Sequence, residues 1–455
     1  MNIKDDFILK DIDEGYLVGG SVRDFYLGKK ILVDRDIAIK NAEAFAQKIA
    51  KKLDATFITL DSENKIYRVV LKDKINYLDI SELQGESIEE DLKRRDFTIN
   101  AIAYDLKENK IIDVTGGLKD LENHILRQIS NKNFEEDPLR ILRAFRFLAV
   151  TGFGMGAELS NGLKKYMPLA MQPAKERINY EIMKLFGGNY TSKTLLKMDE
   201  FGLLEQIFPC VKELKKVPPN SHHHLDLFHH VIETVRQIEI LYSDSDEKIK
   251  DHLDCVDFGG FPRINHLKLA GFLHDIGKFS TWTIEESGRH RFIKHDDVGS
   301  KMVVPLLREL KFSKKQIEYI SSMIKNHIYP SSVIAAPVLS EKVMMRYIRK
   351  MEDNVIDNII LAKADRLSAR GVEITENVIS TNIDGLNKLL AFYLEKKDTL
   401  APLPKLIDGD EIMQILNIKP SPILGKVIDS IKELQLNGDI TTHEEAVEFV
   451  KNWQK

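Results

Sequence analysis

The chain has 455 residues, 43% hydrophobic and 30% charged, which suits a soluble globular protein of two to four domains and excludes a disordered or fibrous one. No apolar run reaches the roughly 18 residues of a membrane span, and "MNIKDDFILKDIDEGYLV" lacks the basic-then-apolar pattern of a signal peptide. The formal net charge of −4 gives no global pull toward nucleic acid, and two cysteines, Cys210 and Cys255, exclude a disulfide framework and fit a reducing cytoplasm.

In chain order, "EGYLVGG", "DIAIK", "ATFITLD", "IYRVVLK" and "INYLDIS" read as strands, rich in Val, Ile and Tyr and bounded by turn residues. Between them "AEAFAQKIAKKL" is helical by its apolar spacing, so a mixed α/β domain covers residues 1–125. From "EEDPLRILRAFRFLAVTGF" onward the pattern is helical, giving a helical neck over 126–214. The paired prolines of "KKVPPNSHHH" (215–224) read as a linker, and His222, His223 and His224 there are expected in solvent. A histidine-rich helical block runs over 215–370, and a helical tail, broken by "APLPK" and "KPSP", over 371–455.

"GGSVRDFYLGKKILVDRD" places two glycines and a serine between a strand and a helix. Glycines let a backbone approach a phosphate closely, and the helix start offers free N–H groups. Asp34 and Asp36, one residue apart on a strand, share a face; two carboxylates that close repel unless cations sit between them, and oxygen ligands suit Mg²⁺. The alternative is a structural turn followed by solvated charge.

"EEDPLR" has two compatible readings. Asp137 followed by Pro138 looks like a helix start, with an Asp N-cap and Pro in the first turn. Asp137 and Arg140, three apart, also share a helix face. A carboxylate accepts from the exocyclic amine common to C and A, whereas U and G present a carbonyl there; such a pair discriminates by about 1–3 kcal/mol. Arg143 and Arg146 continue that face and could reach phosphates.

These pieces, with "DLKRRDFTINAIAYD" and "KERINYEIMKLF", resemble in order and approximate spacing the class II nucleotidyltransferases, the superfamily of tRNA CCA-adding enzymes and bacterial poly(A) polymerases. The resemblance implies an α+β head with a mixed or antiparallel sheet, followed by all-α neck, HD and tail domains. It implies that Asp34 and Asp36 hold two Mg²⁺ ions for attack of a 3′-hydroxyl on a nucleoside triphosphate, with Asp79 as a third carboxylate facing the metals. Gly20, Ser21 and Arg23 would contact the triphosphate, Arg95, Asp96 and Asn100 the ribose, and Glu176, Arg177 and Glu181 would brace the nucleotide-binding helices. Implied partners are tRNA, CTP and ATP.

In the histidine block, His230, the dipeptide His274-Asp275 and the distant Asp365 lie on apolar helices, and imidazole with carboxylate suits a divalent metal. The set resembles the HD phosphohydrolase domain, in which these four would bind one metal of unspecified identity, and His295 and His327 a second metal or the phosphate. The tail looks like the region that holds the tRNA body in bacterial tRNA nucleotidyltransferases. The chain departs from many CCA-adding relatives at "ELQGE", five residues where they carry a longer basic loop. Four activities therefore stay open: full CCA addition from CTP and ATP with HD-domain phosphohydrolase activity beside it, CC-only or A-only addition, poly(A) synthesis, and phosphohydrolysis or RNA binding with a vestigial polymerase half.

Overall fold

Short β-branched runs in the first third build one sheet in the computed structural model, which describes residue 3 and residues 6–28, 34–397 and 404–453. Its strands are β1 (Tyr16–Val18), β2 (Asp34–Ile39), β3 (Thr56–Asp61), β4 (Ile66–Val70), β5 (Tyr77–Glu82), β6 (Ile102–Asp105) and β7 (Lys110–Asp113). The order is β3-β4-β5-β2-β1-β6-β7; β2 and β5 run parallel, and the other neighbours are antiparallel. This is the expected mixed sheet. The first five strands fall on the five expected stretches. Strands β6 and β7 were not anticipated: each has four residues, and β6 is buried throughout, so it carries no polar alternation to read.

Helix α1 (Gly20–Tyr26) starts directly from the Gly19-Gly20 turn, and α2 (Ala42–Lys52) buries Ala42, Phe45, Ala46, Ile49 and Ala50. Gly19 has a φ of +70°, and a Cβ there would lie 3.3 Å from both Arg95 Nη1 and Asp36 Oδ2, so the turn needs glycine to let these groups close over it. Helix α3 (Leu139–Thr151) buries nine of its thirteen residues and ends at Gly152 in the left-handed conformation. It packs against α4 (Lys175–Phe186). Pro138 rather than Asp137 occupies the cap position of α3, but the Leu139 N–H still donates to Asp137 Oδ1 at 3.2 Å.

Two compact units divide the chain. One holds residues 1–209 with 309–312, the other 210–308 with 313–455. In the second unit, α5 (Leu227–Ser243) packs against α6 (Arg263–Leu273) and α9 (Val355–Ser368), and α6 against α8 (Lys314–Asn326). Between α6 and α8 lies α7 (His295–Glu309). All eleven residues of α6 are buried, including Arg263, whose guanidinium lies 3.1–3.2 Å from the buried Asp357 carboxylate. The pattern is interrupted by a hairpin pairing Trp282–Ile284 with His290–Phe292, where the sequence read as helical throughout. The tail has its own core around Ile412, Val427 and Val450. Of the "APLPK" break, residues 401–403 lie outside the described residues. Among the described residues no helix is long and apolar enough to cross a membrane.

Candidate active site and candidate metal centre

In the first unit a cavity of about 620 Å³ opens where the ends of β1 and β2 meet α3 and α4. Gly19, Gly20 and Arg23 line it from the turn and α1, and Asp36 from β2. Arg95, Asp96 and Asn100 enter from the "RRDFTIN" segment, and Asp137, Arg140, Arg143, Arg146 and Arg177 from the neck helices. With Lys184, seven cationic side chains face three carboxylates, so a chain of net charge −4 concentrates positive potential in this cavity.

The register explains the juxtaposition. Val18 of β1 pairs with Asp36, and Asp36 pairs with Asp79 of β5, which puts the glycine turn and both carboxylates at one sheet end. Asp34 opens β2 two residues before Asp36, on the same strand face; its side chain lies outside the described residues. Asp79 does not line the cavity. Its oxygens accept from Arg68 Nε and Nη2, both at 2.7 Å, and Arg68 also stacks on Tyr77 at 4.1 Å. Ser21 is buried and its Oγ accepts from the Asp36 N–H at 3.4 Å, so it fixes β2 against the turn rather than lining the cavity.

A buried polar network organises the cationic side. Asp96 Oδ2 accepts from Arg143 Nε at 2.8 Å and Nη2 at 2.6 Å, while its Oδ1 accepts from the Phe97 N–H at 2.8 Å and Asn100 Nδ2 at 3.1 Å. Burial works to raise the Asp96 pKa, but the Arg143 charge and these donors hold it below its ordinary value. Arg23 Nη1 donates to Asn100 Oδ1 at 2.7 Å. Buried Glu181 takes Arg146 Nε at 3.1 Å and Arg143 Nη1 at 3.5 Å. Burial, offset in part by Glu181 and reinforced by the Arg143 charge, brings Arg146 down to about 10. Arg177 reaches Asp137 Oδ2 at 2.9 Å, and Arg140 donates to the carbonyls of Asn133 and Arg94 at 3.3 and 3.2 Å. Arg95 pairs with Asp91 at 2.9 Å. Glu176 sits exposed in the first turn of α4, away from the cavity lining.

In the second unit six side chains converge. His230 Nε2 lies 3.4 Å from Asp275 Oδ2 and 3.1 Å from Asp365 Oδ1; His274 Nε2 lies 3.2 Å from Asp275 Oδ2. His295 and His327 approach Asp275 Oδ1 at 3.3 and 3.6 Å, with 3.2 Å between their Nε2 atoms. The Nδ1–H groups of His274, His295 and His327 donate to the carbonyls of Gly271, Phe292 and Ile324 at 2.8, 2.8 and 2.7 Å, which turns each Nε2 inward.

Buried His230 Nε2, His274 Nε2 and Asp275 Oδ1 have no hydrogen-bond partner, while Asp275 Oδ2 pairs with Lys278 Nζ at 2.6 Å. Orphaned imidazole nitrogens facing an orphaned carboxylate oxygen fit a divalent cation, and ligand atoms from these residues lie within 4.8 Å of one another. Although burial opposes its charge, Asp275 is held well below its ordinary range by His274 and Lys278. Against the same burial, Asp275 and Asp365 lift His274 to about 10.

The linker histidines do not all face solvent. His224 is exposed, but the His223 ring packs edge-on to His230 at 4.4 Å, and its Nε2 lies 3.4 Å from Lys278 Nζ. The reason is that the segment is stitched down: the N–H groups of Gly371 and Glu373 donate to the carbonyls of His222 and Ser221.

Three family models match the chain: the Poly A polymerase head domain at residues 15–127, the probable RNA and SrmB-binding site of polymerase A at 152–215, and the HD domain at 227–370. The chain is an enzyme of the nucleotidyltransferase type. It is 29% identical to the A-adding tRNA nucleotidyltransferase of Deinococcus radiodurans, over 96% of this chain and 95% of that one. It is 28% identical to the CC-adding tRNA nucleotidyltransferase of Thermus thermophilus, over 99% and 96%. The fold is similar to that of the Thermotoga maritima CCA-adding enzyme complexed with tRNA (TM-score 0.52, 22% identity, 96% of this chain and 90% of that one).

Sequence reasoning missed Leu139, Phe147, Val150 and Lys184 as cavity residues. The spacing of α3 and α4 offered a signal for the last three, since Arg143, Phe147 and Val150, and Arg177 and Lys184, recur at three, four or seven residues on one face.

Proposed function

We propose that the chain is a tRNA nucleotidyltransferase that builds the CCA end from CTP and ATP, with a metal-dependent phosphohydrolase centre in its second unit. The observation that carries the first half is the cavity itself: a carboxylate strand, a glycine turn and a predominantly cationic wall converging in one pocket. Asp34 and Asp36 would hold Mg²⁺, which when bound supplies activation of the 3′-hydroxyl and neutralises charge on the triphosphate. Arg23 would bind the triphosphate, with Gly20 letting it approach the backbone, and Arg95 would contact the ribose. Asp96 and Asn100, already engaged with Arg143 and Arg23, would place those arginines.

Asp137 and Arg140 would select the base. Arg177 orients the Asp137 carboxylate toward an exocyclic amine, which C and A possess and U and G lack at that position. In the second unit His230, His274, Asp275 and Asp365 would hold a divalent metal that polarises a phosphoryl oxygen when bound, with His295 and His327 facing the phosphate.

A second reading, addition of CC or of A alone, is favoured by the short segment between β5 and the helix Ile88–Lys93, and by the names of the two full-length relatives. The test uses transcripts of one tRNA, one ending at the discriminator base and one in CC, incubated with Mg²⁺ and CTP, ATP or both. Two C then one A is the expected product. Arrest after CC, or A on the CC transcript alone, selects the second reading; no extension, or a long A tail, overturns both.

A further inference from the structure

Three guanidinium groups surround one aromatic ring in the nucleotide cavity. The carbons of Arg23, Arg143 and Arg146 lie 5.3, 5.6 and 4.3 Å from the centroid of Phe147. Arg23 comes from α1 and the other two from α3, so side chains from two elements 120 residues apart meet over one ring. Like charges this close splay apart unless something holds them. The carboxylates divide the work: Asp24 takes Arg23 Nε and Nη2, Asp96 takes Arg143, and Glu181 takes Arg146 and, at longer range, Arg143. The Phe147 ring is shared by all three. Its π-face attracts cations, and within this largely desolvated setting each such contact is stronger than at an exposed surface.

The ring is itself fixed. It is 5% exposed and meets Phe97 edge to face at 5.4 Å and 75°. Phe97 follows Asp96, the residue that holds Arg143, so the ring and the carboxylate are set by one backbone segment. An aliphatic side chain of similar bulk would fill the same space without a quadrupole.

We propose that Phe147 is a positioning residue for the triphosphate, a platform that holds Arg23, Arg143 and Arg146 in one array facing the cavity. The proposal rests on the nucleotide reading of the cavity. Its contribution depends on ligand charge: it acts on a polyanion and leaves binding of a neutral nucleoside almost untouched.

The test is calorimetric titration of the full chain with CTP and with cytidine in Mg²⁺, for wild type, Phe147→Leu and Phe147→Tyr, each first checked for native circular dichroism and melting. Phe147→Leu should weaken CTP about tenfold, between the exposed and the fully desolvated limits of one cation–π contact, while changing cytidine less than about twofold. Phe147→Tyr, which keeps the ring, should restore CTP binding. Equal weakening of CTP and cytidine, unchanged CTP binding in Phe147→Leu, or a Tyr variant as weak as Leu would each overturn the proposal. Failure of the wild type to bind CTP at all would instead overturn the nucleotide reading on which it rests.

Discussion

Asp96→Asn isolates the contribution of a single buried charge to the head and neck helices. The substitution keeps volume and leaves an oxygen for the Phe97 N–H, but it sets an amide against Arg143 Nε and Nη2, now 2.8 and 2.6 Å from a carboxylate oxygen. Of its carboxylate partners Arg143 then retains Glu181, at 3.5 Å, beside the Phe147 ring. Breaking a fully buried pair costs about 3–5 kcal/mol. The Arg143 side chain is 30% exposed, so water can recover part of that, and we expect about 2–3 kcal/mol. For a unit of this size that is a fall in melting temperature of about 5–10 °C.

The pH dependence adds a second signature. The folded-state pKa of Asp96 is lowered, so its contribution is fully present above the unfolded value of about 3.9 and is lost as pH falls through the lower folded value. The gap between wild type and variant, followed by circular dichroism, should hold constant above about pH 5 and close below about pH 4. A variant as stable as wild type at pH 7, or a gap that persists in acid, would refute the reasoning.

Asp79→Asn should reduce nucleotide addition far less than a change at Asp36, because the Asp79 carboxylate is already engaged by Arg68; equal losses would place it among the metal ligands. Arg177→Ala breaks a solvent-exposed pair, so stability should change by less than about 1 kcal/mol, while discrimination between CTP and UTP should fall about three- to tenfold in single-turnover addition. Mn²⁺ at a hundred times its dissociation constant should stabilise the second unit by about 2.7 kcal/mol, reversibly with EDTA, and His274→Ala should remove that shift. The same shift in the variant would place the metal elsewhere.

Much of this was legible because local pattern and local structure agree. The β1 and β2 stretches are short apolar runs bounded by turn residues, and the glycines fall where β1 hands over to α1. What was not legible depends on partners distant in sequence. Arg68 is placed opposite Asp79 only by the β4–β5 register, and Asp96 meets Arg143 only once the neck folds back on the head. Strands β6 and β7 were too short to show a period, and β6 is also buried throughout. His223 looked like linker, yet its packing against His230 follows from hydrogen bonds that the neighbouring Ser221 and His222 carbonyls accept from Glu373 and Gly371, some 150 residues away.

Nucleotide addition by wild type and Asp36→Asn, on a transcript ending at the discriminator base with CTP, ATP and Mg²⁺, tests the central claim most directly. The account predicts extension by the wild type and a loss of about a thousandfold or more in the folded variant, the scale on which removing an electrostatic stabiliser of the transition state acts. Extension at a near wild-type rate by Asp36→Asn, or none by either protein, would contradict it.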